Sequence, residues 1–392
     1  MRILQVHNFY QQPGGEDQVY AAEYELLRQN GETVEQFAVH NDQLKTVSNL
    51  QMARDTVWNP SSYRAVSDAI ARFRPDVMHC YNTFPIVSPS AYYAAAKAQV
   101  PVVQTVQNYR LICPAATLTR EGRICEDCVG RAVPYPGVVH ACYRHNRLAT
   151  TAIASLLTVH RVLGTWREKV AAYLVPTEFL KQKLVEGGFV SAQIEVKPNF
   201  LPHDPGAGAG DGGYALFAGR LANEKGLDTL LAAWQHVRSL PLKIAGDGPL
   251  RERVAEKAST LPNVTLLGFQ EREQVLEWMK RAAVLIVPSE WYEGFPMTVV
   301  EAMGCGTPVV ASDLGSLHEV VVEEVNGMRF PAGDPKALVA AVERLVADEK
   351  SLPLLRQRVR ERFRALYSAE ANYPQLLAVY QRAISRVTRR AD

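Results

Sequence analysis

Residues 289–304 read Ser-Glu-Trp-Tyr-Glu-Gly-Phe-Pro-Met-Thr-Val-Val-Glu-Ala-Met-Gly and follow the apolar run Ala282–Pro288. The apolar run predicts a buried strand, and the break at Gly294 predicts a loop. The residues after Pro296 predict a short helix, because proline is favoured near the first position of a helix, where a missing N–H costs nothing. The stretch is therefore a strand, a loop and a helix in succession, and the rest of the chain repeats this alternation.

Two carboxylates bracket the break in this stretch. Glu293 lies on the loop and Glu301 within the helix, so with about 1.5 Å of rise per residue plus the loop they stand on the order of 10 Å apart. That separation is too large for two carboxylates to share one bond, but it suits a long ligand that touches a carboxylate at each end. The free N–H groups at a helix start favour an anion, typically phosphate. The stretch therefore predicts a site for a nucleotide diphosphate with a further group attached.

Strands alternate with helices along both halves of the chain, which predicts an α/β protein built from βαβ units with parallel sheets. We predict one domain over residues 1–200 and a second over residues 214–370. A C-terminal helix over residues 371–392 is predicted to cross back to the first domain. Because ligands bind at the carboxyl ends of parallel strands, the residues that follow each strand are the candidates for a site.

The Pro- and Gly-rich residues 201–213 lack periodicity and predict a linker between the domains. Gly208, Gly210 and Gly213 form a G-x-G-x-x-G pattern there. A dinucleotide-binding fingerprint must follow a strand and open a helix, whereas these glycines precede the strand predicted over Tyr214–Ala218. We therefore predict a flexible hinge, and an oxidoreductase of the Rossmann type is disfavoured.

Length and composition restrict the classes of protein to which the chain can belong. Its 392 residues suit two domains, and its net charge of +2 is too small to indicate a nucleic-acid partner. Met1 and Arg2 run directly into a strand pattern rather than a signal peptide. The apolar stretch Ala149–Trp166 is interrupted by His160 and Arg161 and is too short to cross a bilayer. Together with six cysteines and no secretory signal, these features predict a cytoplasmic protein.

Residues 110–145 are rich in Cys, Arg, Pro and Gly and lack periodicity, so they predict an insertion in the first domain. The insertion carries a C-x2-C pair with one further cysteine on each side: Cys113, Cys125, Cys128 and Cys142. Four thiolates suit a tetrahedral structural zinc ion, which would stabilise a segment with little apolar core. His140 or His145 could replace one ligand. The alternatives are four ordinary thiols in a loop or a redox disulfide within the C-x2-C pair.

The insertion and the helices after it combine arginines with aromatic residues. The arginines are Arg120, Arg123, Arg131, Arg144, Arg147, Arg161 and Arg167, and the aromatic residues are Tyr109, Tyr135, Tyr143 and Trp166. Such a surface can rest on anionic lipid at the inner face of a membrane. The alternative is a solvated, loop-rich face without a lipid partner.

Two cations follow the first strand of the second domain, in the segment Gly219–Gly226. Arg220 and Lys225 lie on one loop there and can neutralise a diphosphate, since arginine grips phosphate oxygens in a bidentate manner. Gly246 and Gly248 follow the next strand, in a turn that needs unusual φ angles. Ordinary surface charges and plain turn chemistry are the alternatives. The combination with the two carboxylates described above favours a ligand site.

The order and spacing of these residues resemble retaining GT-B glycosyltransferases of the family-4 (group 1) type, and the resemblance covers nearly the whole second domain. The matching segments are Gly219-Arg220-Leu221, Glu224-Lys225-Gly226, Gly246-Asp247-Gly248-Pro249, Glu293-Gly294-Phe295-Pro296, Glu301-Ala302-Met303-Gly304 and Pro308-Val309-Val310-Ala311, then Gly315 and Glu319. The first half is similar to the acceptor domain of polysaccharide-synthesis members, through Gly14-Gly15, Asn82-Thr83-Phe84-Pro85 and Asn108–Pro114. The resemblance implies a GT-B fold, in which two Rossmann-like domains face a central cleft.

The resemblance also assigns roles to the matching residues. It implies that Arg220 and Lys225 hold the diphosphate and stabilise it as a leaving group, with Glu293 near the donor sugar. It implies that Glu301 binds the ribose hydroxyls of the nucleotide. Arg220, Lys225 and Glu293 are therefore the expected catalytic residues. The expected donor-binding residues are Gly14, Gly15, Gln107, Gly246, Gly248, Gly294, Phe295, Pro296 and Glu301.

Two positions depart from the family pattern. This chain has Tyr81 and Gln107 where such proteins usually carry a histidine before an asparagine. Gln107 can donate and accept hydrogen bonds but cannot act as an acid or a base. The chain contains no Asp-x-Asp motif. We therefore expect no catalytic metal, and we expect cationic side chains and a helix N-terminus to supply the positive charge instead.

The resemblance implies a retaining glycosyltransferase that moves a sugar from a nucleotide-diphosphate sugar to a hydroxyl group. The expected acceptor is a saccharide or a lipid-linked saccharide, in the synthesis of a bacterial surface polysaccharide or glycolipid. A nucleotide-sugar epimerase or a phosphorylase of the same architecture is the nearest alternative, although no motif marks the cofactor lysine of a phosphorylase. A sugar-nucleotide-binding protein without catalysis is a further alternative, because of Tyr81 and Gln107.

Overall fold

The computed structural model of the protein describes residues 1–11, 14–46, 48–347 and 352–391, and the side chains of all of these except 44–46 and 388–391. The chain forms two compact units. The first comprises Met1–Arg120, Cys125–Pro198 and Asn372–Asp392, and the second comprises Glu121–Ile124 and Asn199–Ala371. Asp392, the last residue of the predicted C-terminal helix, lies outside the described residues.

The first half of the chain alternates strands and helices as predicted. Its strands are β1 (Arg2–Phe9), β2 (Thr33–His40), β3 (Val77–Cys80), β4 (Val102–Thr105), β5 (Thr119–Arg120), β6 (Arg123–Ile124), β7 (Ala172–Val175) and β8 (Ile194–Val196). Its helices are α1 (Gly15–Gln29), α2 (Asn49–Val57), α3 (Pro60–Phe73), α4 (Ser90–Lys97), α5 (Tyr135–Val139), α6 (Arg147–Val162), α7 (Thr165–Glu168) and α8 (Glu178–Glu186), with 3-10 turns at Asn41–Thr46 and Ser191–Gln193.

The sheet of the first unit has the strand order β2-β1-β3-β4-β7-β8, and its neighbouring strands are parallel. Strand β3 shows why these residues form a central strand: it reads Val-Met-His-Cys, and all four residues are buried, as a strand covered on both faces requires. The direction of strand succession reverses between β1 and β3. The carboxyl ends of these two strands are therefore the place in the first unit where a ligand is expected.

The second half of the chain builds a second sheet. Its strands are β9 (Ala215–Ala218), β10 (Leu242–Ala245), β11 (Val264–Gly268), β12 (Val284–Val287), β13 (Val309–Ser312) and β14 (Gly327–Phe330). Its helices are α9 (Leu227–Trp234), α10 (Arg251–Ser259), α11 (Arg272–Arg281), α12 (Met297–Gly304), α13 (Ser316–Val320), α14 (Pro335–Ala347), α15 (Leu352–Leu366) and α16 (Ala369–Ala391), with a 3-10 turn at Asn223–Lys225.

The second sheet is also parallel, in the order β11-β10-β9-β12-β13-β14, which is the doubly wound order of Rossmann-like domains. One face packs against α12 and α15 through Val299, Met303 and Phe363. The other face packs against α9 and α14 through Trp234 and Leu338. Strand succession reverses between β9 and β12, so the loops after these two strands border the expected ligand crevice. The predicted α/β fold with two Rossmann-like parallel sheets is confirmed.

The C-terminal helix α16 belongs to the first unit from Asn372 onward. Its buried side chains Leu376, Val379 and Tyr380 pack with Ile3 and Val103 from the first sheet. The apolar face of α16 thus completes a core that the N-terminal half of the chain leaves open on one side. Pro374 lies within the first turns of this helix.

A network of buried polar side chains joins α16 to the first sheet. Glu23 of α1 is fully buried, with Lys197 Nζ at 2.8 Å from one carboxylate oxygen. The hydroxyl of Tyr81 donates to the other carboxylate oxygen at 2.6 Å. The imidazole of His79 lies between the hydroxyls of Tyr380 and Thr105, at 2.7 Å from each. Tyr81 is therefore a residue of this core.

The buried histidine of this network makes stability depend on pH. Burial lowers the pKa of His79 to about 4, so the folded protein binds fewer protons than the unfolded chain between that value and about 6.5. Stability therefore falls as the pH decreases through this window, and we expect a loss of about 3 kcal/mol by pH 4. Denaturant unfolding at a series of pH values measures this loss. His79→Gln, which does not titrate, should lose this part of the pH dependence, and an identical pH profile in both proteins would contradict the assignment.

The predicted linker is packed along the second unit. The N–H groups of Gly208 and Gly210 donate to the carbonyl oxygens of Cys305 and Lys280, both at 2.9 Å. A Cβ atom at Gly208 would lie 2.1 Å from the Lys280 carbonyl oxygen. The guanidinium of Arg356 donates to the carbonyl oxygens of Gly208 and Lys280 at 3.0 and 3.1 Å. The glycine at 208 thus permits close backbone approach, which differs from the flexible hinge expected from the sequence.

Candidate active site

The loops that follow β9 and β12 touch each other at the reversal point of the second sheet. Gly226 has a positive φ of 67°, and a Cβ atom there would lie 1.8 Å from the carbonyl oxygen of Pro288. The N–H of Glu290 donates to the carbonyl of Glu224 at 2.9 Å. A glycine is required at 226 both by the left-handed conformation and by this approach. The approach brings the cationic loop and the acidic loop of the sequence together.

Lys225 and Glu293 form the central contact of this site. Lys225 Nζ lies 2.7 Å from Glu293 Oε1, and the hydroxyl of Ser289 donates to the same oxygen at 2.6 Å. Ser289 and Glu293 are buried, whereas the Lys225 ammonium is about a quarter exposed. Arg220 is exposed on the same loop as Lys225. The structure therefore unites two of the three expected catalytic residues and adds Ser289, which the sequence analysis missed.

The loop from Glu293 to Pro296 is held by a buried hydroxyl. Ser316 Oγ, at the start of α13, lies 2.9 Å from the carbonyl oxygen of Glu293 and 3.2 Å from that of Gly294. Phe295 packs against the apolar core of the unit. The helix α12 begins at Met297, so Pro296 precedes its first residue rather than occupying it. The predicted helix start is present. Its N–H groups at Val299 and Val300 donate to the carbonyl oxygen of Pro296 at 2.9 and 3.4 Å, and that of Met297 donates to Phe295 at 3.0 Å.

Glu301 lies in α12 beside an arginine from another helix. Arg272 Nε, at the start of α11, donates to Glu301 Oε1 at 3.1 Å. Burial raises the pKa of Glu301, and Arg272 opposes that shift. The sequence analysis missed Arg272, because nothing in the chain marks a residue 29 positions before its partner. A carboxyl group that is mostly buried and paired on one oxygen keeps its other oxygen available as an acceptor for hydroxyl groups.

Gly246 and Gly248 are required by the packing of the protein itself. Their φ angles are 152° and 157°, outside the range that other residues favour. A Cβ atom at Gly246 would lie 1.9 Å from the carbonyl oxygen of Gly219, and one at Gly248 would lie 2.5 Å from that of Leu221. The turn after β10 therefore lies directly on the loop after β9. Their part in donor binding stays a prediction, because close packing alone explains both glycines.

In the first unit, Gly14 and Gly15 open helix α1. The N–H of Gly14 donates to Asp17 Oδ2 at 2.8 Å, and Asp17 Oδ1 lies 2.7 Å from the Nε2 atom of the buried His7. Among the described residues, a Cβ atom at Gly15 would meet nothing within 4 Å, and one at Gly14 would meet the Tyr10 ring at 3.6 Å. Packing within the described part of the chain therefore does not explain either glycine.

A second carboxylate, Glu16, lies next to these glycines. The hydroxyl of Tyr10 donates to one oxygen of Glu16 at 2.5 Å, and Asn108 Nδ2 donates to the other at 2.7 Å. Burial raises the pKa of Glu16. Gln107, the neighbour of Asn108 after β4, is half-buried. The sequence analysis missed Glu16, whose surroundings come from three separate segments of the first unit.

The sequence also predicts a four-cysteine site in the insertion and the absence of a membrane-spanning segment. Cys113, Cys125, Cys128 and Cys142 line one small cavity in the insertion, together with Asp127. None of the described helices is both long enough and apolar enough to span a membrane.

Comparison with protein families gives matches along both halves of the chain. Residues 16–199 match the glycosyl transferase 4-like domain, and residues 212–348 match the glycosyl transferases group 1 model. An uncharacterized glycosyltransferase of Methanocaldococcus jannaschii is 32% identical over 143 residues, which is 36% of this chain and 40% of the relative. The match thus spans less than half the length of that relative.

Solved structures cover the chain more completely. Sucrose-phosphate synthase from Thermosynechococcus elongatus superposes with a TM-score of 0.70 at 19% identity, over 98% of this chain and 100% of the other. The Anabaena protein HepE in complex with UDP superposes with a TM-score of 0.67 at 17% identity, over 97% of this chain and 100% of the other. At these low identities the similarity shows that this chain shares the fold of both proteins, the two-sheet architecture described above.

Proposed function

We propose the following activity for this chain, which belongs to the group 1 glycosyltransferases: it moves a sugar from a nucleotide-diphosphate sugar to a hydroxyl group of a saccharide. The observation that carries the proposal is the contact between Lys225 and Glu293 at the reversal point of the second sheet. A cation beside a buried carboxylate at this point suits a ligand with an anionic centre and a hydroxyl-rich end. The HepE structure, which holds UDP in the same fold, is consistent with such a donor.

The proposed reaction needs charge stabilisation more than it needs a nucleophile. The bond between the sugar C1 atom and the phosphate oxygen breaks, and its electron pair stays on the diphosphate. Lys225, Arg220 and the positive, N-terminal end of the α12 dipole neutralise that charge. The acceptor hydroxyl forms the new bond to C1 from the same face and gives its proton to the departing phosphate. Retention of the anomeric configuration is thus part of the proposal, and an inverted product would contradict it.

A panel of nucleotide sugars, tested with and without saccharide acceptors, examines the activity directly. We expect release of the nucleoside diphosphate that depends on an acceptor, with formation of a new glycosidic bond. Isomerisation of the donor without an acceptor would indicate an epimerase. Binding of nucleotide sugars without turnover would indicate a protein that only binds them, and either result would overturn the proposal.

The two carboxylates should separate donor binding from sugar transfer. We propose that Glu301 accepts hydrogen bonds from the ribose hydroxyls and that Glu293 lies at the sugar end of the donor. Glu301→Gln is therefore expected to weaken binding of the free nucleoside diphosphate about 10-fold. The reason is that the variant loses one charge-assisted hydrogen bond, which contributes about 1.5 kcal/mol. Glu293→Gln should retain that binding and lose turnover. Calorimetry with the nucleotide and a transfer assay measure the two effects, and equal losses in both assays for both variants would contradict the separate roles.

Arg272 should control the pH at which the nucleotide binds. Burial raises the pKa of Glu301 and Arg272 lowers it, so Arg272→Ala is expected to raise that pKa further. Because the ionised carboxylate is the better acceptor, nucleotide affinity should then begin to fall at a higher pH as the solution is acidified. Titration calorimetry at several pH values between about 5 and 8 spans this transition.

A matched control for Arg272 lies on the neighbouring helix α10. Arg253 also forms an exposed ion pair, with Asp228 at 2.7 Å, but it touches neither carboxylate of the site. Arg253→Ala should therefore leave the pH dependence of nucleotide binding unchanged. If Arg272→Ala and the wild-type protein lost affinity at the same pH, Glu301 would not be the titrating group.

We further propose that the acceptor is lipid-linked, within the synthesis of a bacterial surface polysaccharide or glycolipid. Helix α6 supports this proposal, because it presents Leu148 and Val162 with more than four-fifths of each side chain exposed. Arg144, Arg147 and Arg167 are exposed nearby in sequence. Apolar side chains flanked by arginines suit the surface of an anionic membrane. Co-sedimentation with liposomes rich in anionic lipid should occur at low salt and decrease at high salt, and no sedimentation at low salt would contradict membrane contact.

A further inference from the structure

Four of the six cysteines gather at one place in the insertion of the first unit. Each is a free thiol, and all four contribute to the wall of the same small cavity. The other two cysteines are buried elsewhere: Cys80 ends strand β3, before the insertion, and Cys305 follows helix α12 in the second half of the chain. Cys113 and Cys142 lie on either side of the C-x2-C pair and well away from it in the sequence. Only the folding of the insertion brings all four cysteines to one cavity.

Local backbone hydrogen bonds shape the segments that carry three of these cysteines. The N–H of Cys113 donates to the carbonyl of Tyr109 at 2.8 Å, and the N–H of Cys125 donates to that of Leu118 at 2.8 Å. The N–H of Cys142 donates to the carbonyl of Gly137 at 3.0 Å. Helix α5 then packs on the segment after Cys113 so closely that a Cβ atom at Gly137 would lie 2.9 Å from the ring of Pro114.

The insertion has features of a segment that needs a cross-link. Several of its non-glycine residues have positive φ angles: Ala116, Leu118, Glu121, Ala141, Arg144 and His145. Each such residue costs on the order of 1 kcal/mol. Few of its side chains are buried and apolar, so apolar packing offers little to offset this cost. A covalent or metal link would supply the missing stabilisation.

The outer side of the insertion is already fixed to the body of the first unit. Lys183 of α8 forms ion pairs with Glu126 at 2.9 Å and with Glu186 at 2.8 Å. The guanidinium of Arg161 in α6 donates to the carbonyl oxygens of Arg131 and Gly187. These contacts hold the outer side of the C-x2-C turn. The inner side, which carries the thiols, faces the cavity.

We propose that Cys113, Cys125, Cys128 and Cys142 bind one zinc ion as four thiolates. Among the described residues no group of three or more His, Cys, Asp or Glu side chains is arranged to hold a metal ion, so the four thiols that line the cavity must move closer together when the ion binds. Each thiol releases its proton to solvent and contributes an electron pair to the ion. Cys128 gives up its long contact with the carbonyl of Pro134, at 3.8 Å, which is a weak bond.

The charge of such a centre has a neighbour that can offset part of it. Four thiolates and one Zn²⁺ carry a net charge of −2. Arg120 lines the same cavity, and its guanidinium lies 2.6 Å from Asp127. Arginines that donate to metal-bound thiolates orient them and reduce their repulsion. The site is structural, because four protein ligands leave no open position on a tetrahedral ion.

Zinc binding would also affect the candidate donor-binding residues of the first unit. Arg110 donates from its guanidinium to the carbonyl of Pro114, which follows the first of the four cysteines, and its N–H donates to Asn108 Oδ1 at 2.8 Å. Asn108 in turn donates to Glu16 beside Gly14 and Gly15. The metal would thus fix the segment that positions Asn108.

Metal analysis of the purified full-length chain tests the proposal. We expect one zinc per chain, released when an organomercurial blocks the thiols. Cobalt(II) added after chelation should give the visible absorption of a tetrahedral thiolate complex in the wild-type protein, a readout that needs no variant. Cys125→Ser and Cys142→Ser should each lower the zinc affinity at least 10-fold.

Cys305→Ala is the matched control, because Cys305 is buried in the second unit and should keep one zinc per chain. Two results would overturn the proposal. One is wild-type protein without zinc or cobalt absorption after equilibration with either metal under reducing conditions. The other is a disulfide between two of the four cysteines in protein purified with zinc present, found by mass spectrometry after alkylation. Neither result depends on the sugar-transfer assay.

Discussion

Replacing Lys225 by alanine is expected to lower kcat by about 10²- to 10³-fold, the usual loss on removing one group that stabilises developing charge in an enzyme site. Two effects act in the same direction. The leaving diphosphate loses a counter-charge. Glu293, whose Oε1 atom lies 2.7 Å from Lys225 Nζ, also becomes an uncompensated negative charge beside it. A steady-state transfer assay at saturating donor measures the change.

Two variants distinguish this effect from a general loss of charge. Lys225→Arg keeps the positive charge and should retain more activity than the alanine variant. Lys257→Ala removes an exposed lysine of the same unit, which pairs with Asp228 at 2.7 Å, and should leave kcat unchanged. If Lys225→Ala kept full turnover, the assignment of the diphosphate to this loop would be wrong.

Replacing Lys197 by methionine is expected to lower the free energy of unfolding of the first unit by about 3–5 kcal/mol. Burial by itself raises the pKa of Glu23. The Lys197 ammonium, together with His79 and the hydroxyl of Tyr81, outweighs burial and holds that pKa below its ordinary value. Without Lys197 the carboxylate must be buried unpaired or take up a proton. Lys197 Nζ also lies 2.7 Å from Asn372 Oδ1, so helix α16 loses an anchor in the same variant.

Hydrogen exchange resolved by peptide suits this measurement, since a protein with two units need not unfold in one step. Peptides from α16 and β8 should exchange faster in Lys197→Met. Adding Glu23→Gln removes the unpaired charge and should restore more than half of the lost stability. Arg382→Ala breaks a half-exposed ion pair between α16 and Glu195, and its cost should stay near 0–1 kcal/mol. Equal losses for Lys197→Met and Arg382→Ala would show that burial of the pair is unimportant.

Most of the secondary structure was predictable from local patterns. The strand predicted over Tyr214–Ala218 forms over Ala215–Ala218, and the apolar run Ala282–Pro288 contains the strand Val284–Val287, because each is a short apolar run between clear breaks. Helix α2, over Asn49–Val57, was not predicted. Its hydrophobic pattern is weak, with Leu50 largely exposed, and it is stabilised by packing on α6.

The functional residues also divide into those that local sequence patterns predicted and those that they did not. Lys225 and Glu293 were predicted from motifs, because each follows a strand and is close in sequence to a glycine that shapes its loop. Arg272, Ser316 and Glu16 were not, because their partners lie on elements far along the chain. Local sequence carries no signal for such pairs.

The sequence by itself determined the alternation of strands and helices, the division into two halves and the loops that carry the candidate chemistry, since these depend on residue type and on spacing along the chain. Only the tertiary structure decided which charges meet and which glycines are required by packing. It joined Lys225 to Glu293 and Ser289, enclosed Tyr81 with Glu23 in the core, and laid the glycine linker against the second unit. A contact between two side chains depends on where their helices and strands lie. Those positions are set when the helices pack on the sheets and bury the apolar faces of both.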